Sequence, residues 1–230
     1  MARNVTLSAL RNRIYELGEL REVYVSKLVL REEINQSIAE LYDLIVDAND
    51  GYYESTDSVS VVSGTASYAL PSDYYKTVGV DVDRADSTKI NLKRYNRAQR
   101  NKYTAYGGGG INREWTEYRV RGSNMIFVPT PNWSATVTHY YIPTASKLTD
   151  DADTFDGING WEDYVVFDCL VKFVGGKEES DASVWADARG RALARVMRVA
   201  MHRDLAEPPK IRELEEEEAE RLWPRYGTPP

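Results

Sequence analysis

The chain has 230 residues, with 29 Lys and Arg against 36 Asp and Glu, a net charge of −7 and a single cysteine. No apolar run approaches the roughly 20 residues that a membrane-spanning helix needs. One cysteine makes no intrachain disulfide, Cys169 with His139 and His202 builds no zinc cluster, and the acidic balance argues against broad coating of nucleic acid.

The opening MARNVTLSALRNR lacks the apolar core of a signal peptide, so synthesis in a cytoplasm is expected. Thr6 is placed to cap a first helix whose apolar residues Leu7, Leu10, Ile14 and Leu17 recur at helical spacing. Val5 serves as its staple and Gly18 as its stop. A longer helix is predicted from about Ser26 to Asn49, with Leu30, Ile34, Ile38, Leu41 and Ile45 as one stripe and Glu32, Glu33, Gln36, Glu40 and Asp43 on other faces.

After Gly51 the pattern changes to period-two alternation with turn signals: SVSVVSG, ASYALP, KTVGVDV, EYRVRG, NMIFVP and ATVTHYYIP. This predicts an antiparallel β module, in which Ser63 to Val82 reads as two strands pinned around Leu70-Pro71-Ser72-Asp73. Eleven of the 16 tyrosines lie between Tyr52 and Tyr141, which suits half-buried strands whose phenol oxygens reach water or a partner. LKRYNRAQRNKYTAYGGGG, between the strands, predicts a short helix and then a loop. From Gly51 to Ala145 there are 11 Lys and Arg against 8 Asp and Glu, whereas the flanks hold 18 against 28, so the middle presents a different surface.

Helical spacing returns at Trp161, where Trp161, Tyr164, Phe167, Val171 and Val174 form an apolar face ended by Gly175-Gly176. A last long helix is predicted from near Ser180 to about His202, with Trp185, Ala188, Ala192, Val196 and Val199 inward. Cys169, in an apolar helical run, reads as a small buried hydrophobe. Pro208-Pro209 then precedes an acidic segment that closes on Leu222-Trp223-Pro224-Arg225-Tyr226.

Candidate sites follow from these residues. Asp150 to Asp163 invites a calcium-loop reading, but with Asp151 first, Phe155 takes a ligand position and Asp156 stands where glycine is required, so a polar loop capping the next helix is expected. Seven basic residues and one acid between Arg84 and Lys102 make Lys93, Arg94, Arg97, Arg100 and Lys102 a candidate contact for DNA or a neighbouring subunit. Gly107 to Gly110 is no phosphate loop, because no Lys-Ser or Lys-Thr follows. His139 and His202 have no nucleophile motif around them, and abundant carboxylates alone do not make a glycosidase pair. Arg191, Arg195 and Arg198 fall on one helical ridge opposite in charge to the acidic tail, which suggests docking within or between subunits. Ile211, Leu214, Leu222, Trp223, Arg225 and Tyr226 give the tail the residue types that carry interface energy.

Taken in order, TLSALRNRIYELG, REEINQSIAELYDLI, YALPSDYYKTVGVDV, LKRYNRAQRNKY, YRVRGSNMIFVPTPNWSATVTHYYIP and WEDYVVFDCLVKF resemble bacteriophage head-to-tail adaptor (connector) proteins of the kind that carry a β insertion. The resemblance covers nearly the whole chain. It implies a structural component of the virion neck: a ring of twelve subunits under the portal, a DNA channel through its centre without sequence-specific binding, a tail or neck protein below, and no membrane. No enzyme activity, metal or cofactor is expected. The alternatives are a virion-associated cell-wall hydrolase and a carbohydrate- or nucleic-acid-binding module. The expected architecture is α+β. Residues 1–50 and 146–205 supply a small helical bundle, residues 51–145 an inserted antiparallel β module, and residues 206–230 an extended or helical portal-docking arm.

Overall fold

A computed structural model describes residues 4–49, 51–83, 88–99, 116–157, 160–174 and 179–201. Its α+β fold starts with a three-residue strand, β1 (Asn4–Thr6), which runs directly into helix α1 (Leu7–Leu17). Thr6 is extended and its hydroxyl accepts from the Ala9 N–H at 3.2 Å, satisfying one of the orphan donors of the first turn. Leu7, Leu10 and Ile14 are buried as their spacing requires, whereas Leu17 extends past the edge of the core and is exposed. At the other end, a Cβ on Gly18 would sit 2.7 Å from Leu170 Cδ2, so a side chain there would have to displace a core leucine.

Helix α2 (Lys27–Ala48) is capped by Ser26, whose hydroxyl accepts from the Val29 N–H at 3.3 Å. All five residues of its expected stripe are buried. Helix α3 (Glu162–Val174) packs against α1, α2 and the last helix, α4 (Glu179–Met201). This central position explains a departure from the expected single apolar face. Val165, Val166, Cys169 and Leu170 are fully buried beside Trp161 and Tyr164, while Phe167 and Val171 are only half-buried. Burial pushes the Cys169 thiol up to about 12, which makes it a packing residue. One hydrophobic core combines these helices from both halves of the chain, from Leu7 to Ile45 and from Leu148 to Ala200.

Between them, two four-stranded sheets share a second core of Val61, Val80, Val82, Leu92, Tyr118, Met125, Phe127 and Val137. The first sheet holds β2 (Ser55–Val61), β4 (Tyr74–Asp83), β5 (Lys89–Asn91) and β9 (Ala135–Pro143) in the order β2-β9-β4-β5. The second holds β3 (Ser67–Ala69), β6 (Lys93–Arg94), β7 (Glu117–Arg121) and β8 (Asn124–Val128) in the order β3-β8-β7-β6. The strands on either side of Leu70-Pro71-Ser72-Asp73 therefore do not pair with each other; the turn carries the chain from one sheet to the other. Proline, which has no N–H to give a ladder, suits a crossing better than a hairpin. Among the described pairs, β6 with β7 is parallel and the rest are antiparallel.

The acidic loop before α3 differs from expectation in what it caps. Its short strand β10 (Thr154–Asp156) pairs antiparallel with β1, which brings the loop to the start of α1. There the Leu7 and Ser8 N–H groups donate to the Asp153 and Asp151 carbonyls at 2.9 and 3.2 Å. Arg11 forks onto both oxygens of Asp151 at 2.8 Å, which holds that carboxyl below the usual range. The Asp153 carboxylate accepts from the Thr149 and Asp150 N–H groups at 2.7 and 2.9 Å. These two carboxylates, which the calcium reading would have used as ligands, are engaged by the chain itself.

Three helices meet at Asp168, which has no exposed surface. Ser37 of α2 donates to it at 2.6 Å, Lys172 of α3 lies at 2.9 Å, and Arg189 of α4 donates at 2.8 Å. Lys172 also reaches Glu33 at 2.8 Å and Glu40 at 3.2 Å on α2. Burial opposes ionisation of Asp168, but its hydrogen bonds from Ser37, Lys172 and Arg189 outweigh burial and the carboxyl stays below its ordinary value. Its contribution to stability is therefore intact above about pH 4 and is lost as pH falls through that lowered value. Replacing Asp168 with Asn leaves two cations facing a neutral group and is expected to cost about 2–3 kcal/mol, below the range for fully buried pairs because Lys172 and Arg189 reach solvent. Urea denaturation at pH 7 measures this, and an unchanged midpoint would remove the network from the account of stability.

Candidate interaction surfaces

The junction between the helices and the sheets is built from tyrosines. Tyr42 of α2 donates its hydroxyl to the Pro143 carbonyl at the end of β9, and burial pushes its phenol up to about 12. Its ring stacks on Tyr53 at 4.3 Å between centroids, Tyr53 meets Tyr52 edge-on at 4.5 Å, and Tyr52 leans on Trp161 at 5.5 Å. Tyr75 of β4 donates to Asp43 at 2.9 Å. Two turns of α2 further back, the Asn35 side chain donates to the Leu148 carbonyl at 2.9 Å and accepts from the Leu148 N–H at 2.8 Å. Composition had assigned the tyrosines to strand packing and contact. Their use as a joint, and the part played by Asn35 and Tyr42, was not read from the sequence; the available signal was Tyr52-Tyr53 directly after the α2 terminus.

The arginine ridge divides. Arg195 donates to the Gly160 carbonyl at 2.6 Å and to Asp163 at 3.0 Å, and Asp163 also takes Arg13 of α1 at 2.6 Å. An acid in the first turn of α3 suits the helix dipole, and here it joins α1, α3 and α4. Arg191 and Arg198 stay on the exposed side of α4 with no ion pair among the described residues.

Lys93 and Arg94 form β6, the exposed edge of the second sheet, and Arg97 follows in a short 3-10 turn (Arg97–Gln99). Cationic edge residues also discourage strand addition by another chain. Nearby, the Arg119 guanidinium lies 5.3 Å from the Tyr95 ring centroid. Arg100 and Lys102 lie outside the described residues, as do Ile211, Leu214, Leu222, Trp223, Arg225 and Tyr226 of the tail.

His139 is the one histidine among the described residues, and it is fully buried in the middle of β9. Its Nε2 lies 3.1 Å from the Thr77 hydroxyl, Asp57 of β2 stands opposite it across the ladder, and the Tyr74 and Tyr141 rings lie 5.8 and 5.3 Å away. Among the described residues the ring Nδ1 has no hydrogen-bond partner, so none of them orients the imidazole in the way a general base requires. The arrangement packs a sheet interior. Among the described residues no three His, Cys, Asp or Glu side chains are grouped to hold a metal, and no helix is long and apolar enough to cross a membrane.

The chain matches the family model described as SU10 adaptor protein over residues 6–211, and it belongs to that family. A search of curated proteins returned no match. The matched span runs from the Thr6 cap through both sheets and α4 and ends just beyond Pro208-Pro209. The family agrees with the resemblance to phage adaptors: the chain is a structural adaptor of a bacteriophage and a component of its virion, where the partners of an adaptor are portal and tail proteins.

Burial lowers the pKa of His139, and the nearby Asp57 offsets this only in part. The unfolded chain therefore binds a proton more readily than the folded one, and stability is lost as pH falls below about 6.5. The melting temperature of the wild type is expected to fall more between pH 7 and pH 5 than that of His139→Gln, which keeps a partner for Thr77 without titrating. Parallel pH profiles by differential scanning fluorimetry would show that His139 does not contribute.

Proposed function

We propose that the chain is a head-to-tail adaptor of the β-insertion type that assembles as a ring, of twelve subunits, beneath the portal. It extends the DNA channel and provides the seat for tail or neck components. The observation that carries this reading is the family match, which spans both the helical core and the two sheets. The charge distribution supports it: repeated around a ring, the net negative charge repels DNA and lets it pass, as a conduit requires.

In this reading residues 1–50 and 146–205 form the ring body and residues 51–145 the inserted β module, which faces a neighbour in the neck. Lys93, Arg94 and Arg97, with Arg100 and Lys102, touch either passing DNA or an adjacent subunit. Residues 206–230 are the portal-docking arm, on the strength of Ile211, Leu214, Leu222, Trp223, Arg225 and Tyr226, residue types that anchor interfaces. The protein as a whole acts by contact and has no catalytic role.

The test is reconstitution. Purified protein mixed with portal rings is expected to add a second ring visible by negative-stain microscopy, and a chain lacking residues 208–230 is expected to lose portal binding. Undiminished binding by the shortened chain would overturn the role of the arm, and failure of the full chain to bind any portal would overturn the adaptor ring.

A further inference from the structure

The outward faces of α2 and α4 have a property that neither the family nor the buried core requires. On α2, Val29, Glu32, Gln36, Ala39, Asp43 and Asp47 are exposed, and the first five are spaced three and four residues alternately. On α4, Val184, Asp187, Arg191, Ala194 and Arg198 are exposed with the same spacing. That spacing lines residues along one side of a helix, the pattern of a seam between two helices. Each line lies about half a turn from the buried stripe of its own helix, Leu30, Ile34, Leu41 and Ile45 on α2 and Ala192, Val196 and Ala200 on α4. The two faces thus point away from the core that their helices share.

Both lines begin on an exposed valine, Val29 at 53% and Val184 at 59%, and both carry an alanine ten residues later. Open space surrounds Gly190 next to Arg191, so a second helix can approach α4 closely. Beyond the shared valine and alanine the later levels are complementary: Gln36 stands at the level of Arg191 and Asp43 at that of Arg198. The α2 line ends on Asp43 and Asp47, the α4 line carries Arg191 and Arg198, and neither arginine has an ion pair among the described residues. One like-charged level remains, Glu32 against Asp187, and there Arg31 already holds Glu32 at 3.0 Å.

We infer that the acidic face of α2 on one copy docks on the basic face of α4 on the next, with the helices parallel. This rests on the ring reading above and identifies the surfaces through which the ring would form. Like-face pairing is disfavoured, because α2 on α2 sets acid against acid and α4 on α4 sets base against base. A contact between two different faces is heterologous and propagates until it closes. Direction agrees as well. Ser37 of α2 and Arg189 of α4 meet at Asp168, and further along, the Asn49 side chain at the end of α2 donates to the Ala200 carbonyl near the end of α4 at 3.2 Å, so the two helices run the same way within one copy. Rotation about a ring axis by a small step nearly keeps that direction, and α4 of the neighbour arrives parallel to α2.

The test exploits the asymmetry. Glu32→Lys, Gln36→Lys and Asp47→Lys together make the α2 face basic, with Asp43 its one remaining acid, and Arg191→Glu with Arg198→Glu makes the α4 face acidic. Asp43 and Arg195 are left alone because they bond to Tyr75 and Asp163. Far-UV circular dichroism and melting temperature verify that each full-length variant stays folded. In native mass spectrometry and on portal rings, each variant alone is expected to lose ring formation, with association weakened on the order of tenfold or more. An equimolar mixture is expected to recover rings of alternating copies. Variants that assemble as well as the wild type, or a mixture that recovers nothing, would overturn this interface while leaving the ring reading intact. A wild type that forms no ring even on portal would overturn both.

Discussion

A carboxylate with no access to water sits where three helices meet, and much of the fold depends on how its charge is met. Isolated in an apolar interior, Asp168 would take up a proton. Here Ser37, Lys172 and Arg189 reach it from α2, α3 and α4, and Lys172 extends the network to Glu33 and Glu40. Apolar attraction has little direction, so leucine and isoleucine contacts alone set the alignment of the helices less sharply than polar contacts do. Lys172 stands one turn along the same helix, so the charge is fully met only when Ser37 of α2 and Arg189 of α4 are both brought up to it, which happens at one alignment. That alignment sets which sides of α2 and α4 face outward, and with them the surfaces this phage adaptor offers to its neighbours.

The other polar contacts follow the same pattern on a smaller scale. Asp163 joins Arg13 and Arg195, and Asp151 joins Arg11 to the loop that pairs with the first strand. The first residues of the chain are held by residues from its second half, and the sheets lie in the sequence between them. The helical core therefore cannot be completed until the whole β segment has been synthesised and the chain has returned.

What the sequence disclosed was whatever depends on neighbours a few residues away. The Thr6 cap, the start and the buried stripe of α2, the extent of α4 and the burial of Cys169 all follow from local spacing and residue type. Long-range pairing was hidden. Leu70 and Pro71 mark a turn, but nothing local says that the strands on either side join different sheets. The stripe assigned to α3 is only part of what is buried there: Trp161 and Tyr164 lie in the core, but a helix packed on three sides also buries Val165, Val166, Cys169 and Leu170, which one periodicity does not describe. Arg195 lies on the same ridge as Arg191 and Arg198 by spacing, yet the position of Asp163 in space draws it inward. The Asp168 network was invisible as well, since its partners lie far apart in sequence and each reads locally as an ordinary surface residue.

Asn35 and Tyr42 stand seven residues apart on α2, two turns and about 10 Å along the axis. One grips the backbone at Leu148, the other at Pro143, where the chain leaves the sheets. A single pin would let the sheets swivel about it. Two pins on one helix form a bracket, with the end of β9 and the segment that follows it both tied to α2. A force on the end of β9 thus meets the side of a helix before it reaches the rest of the chain.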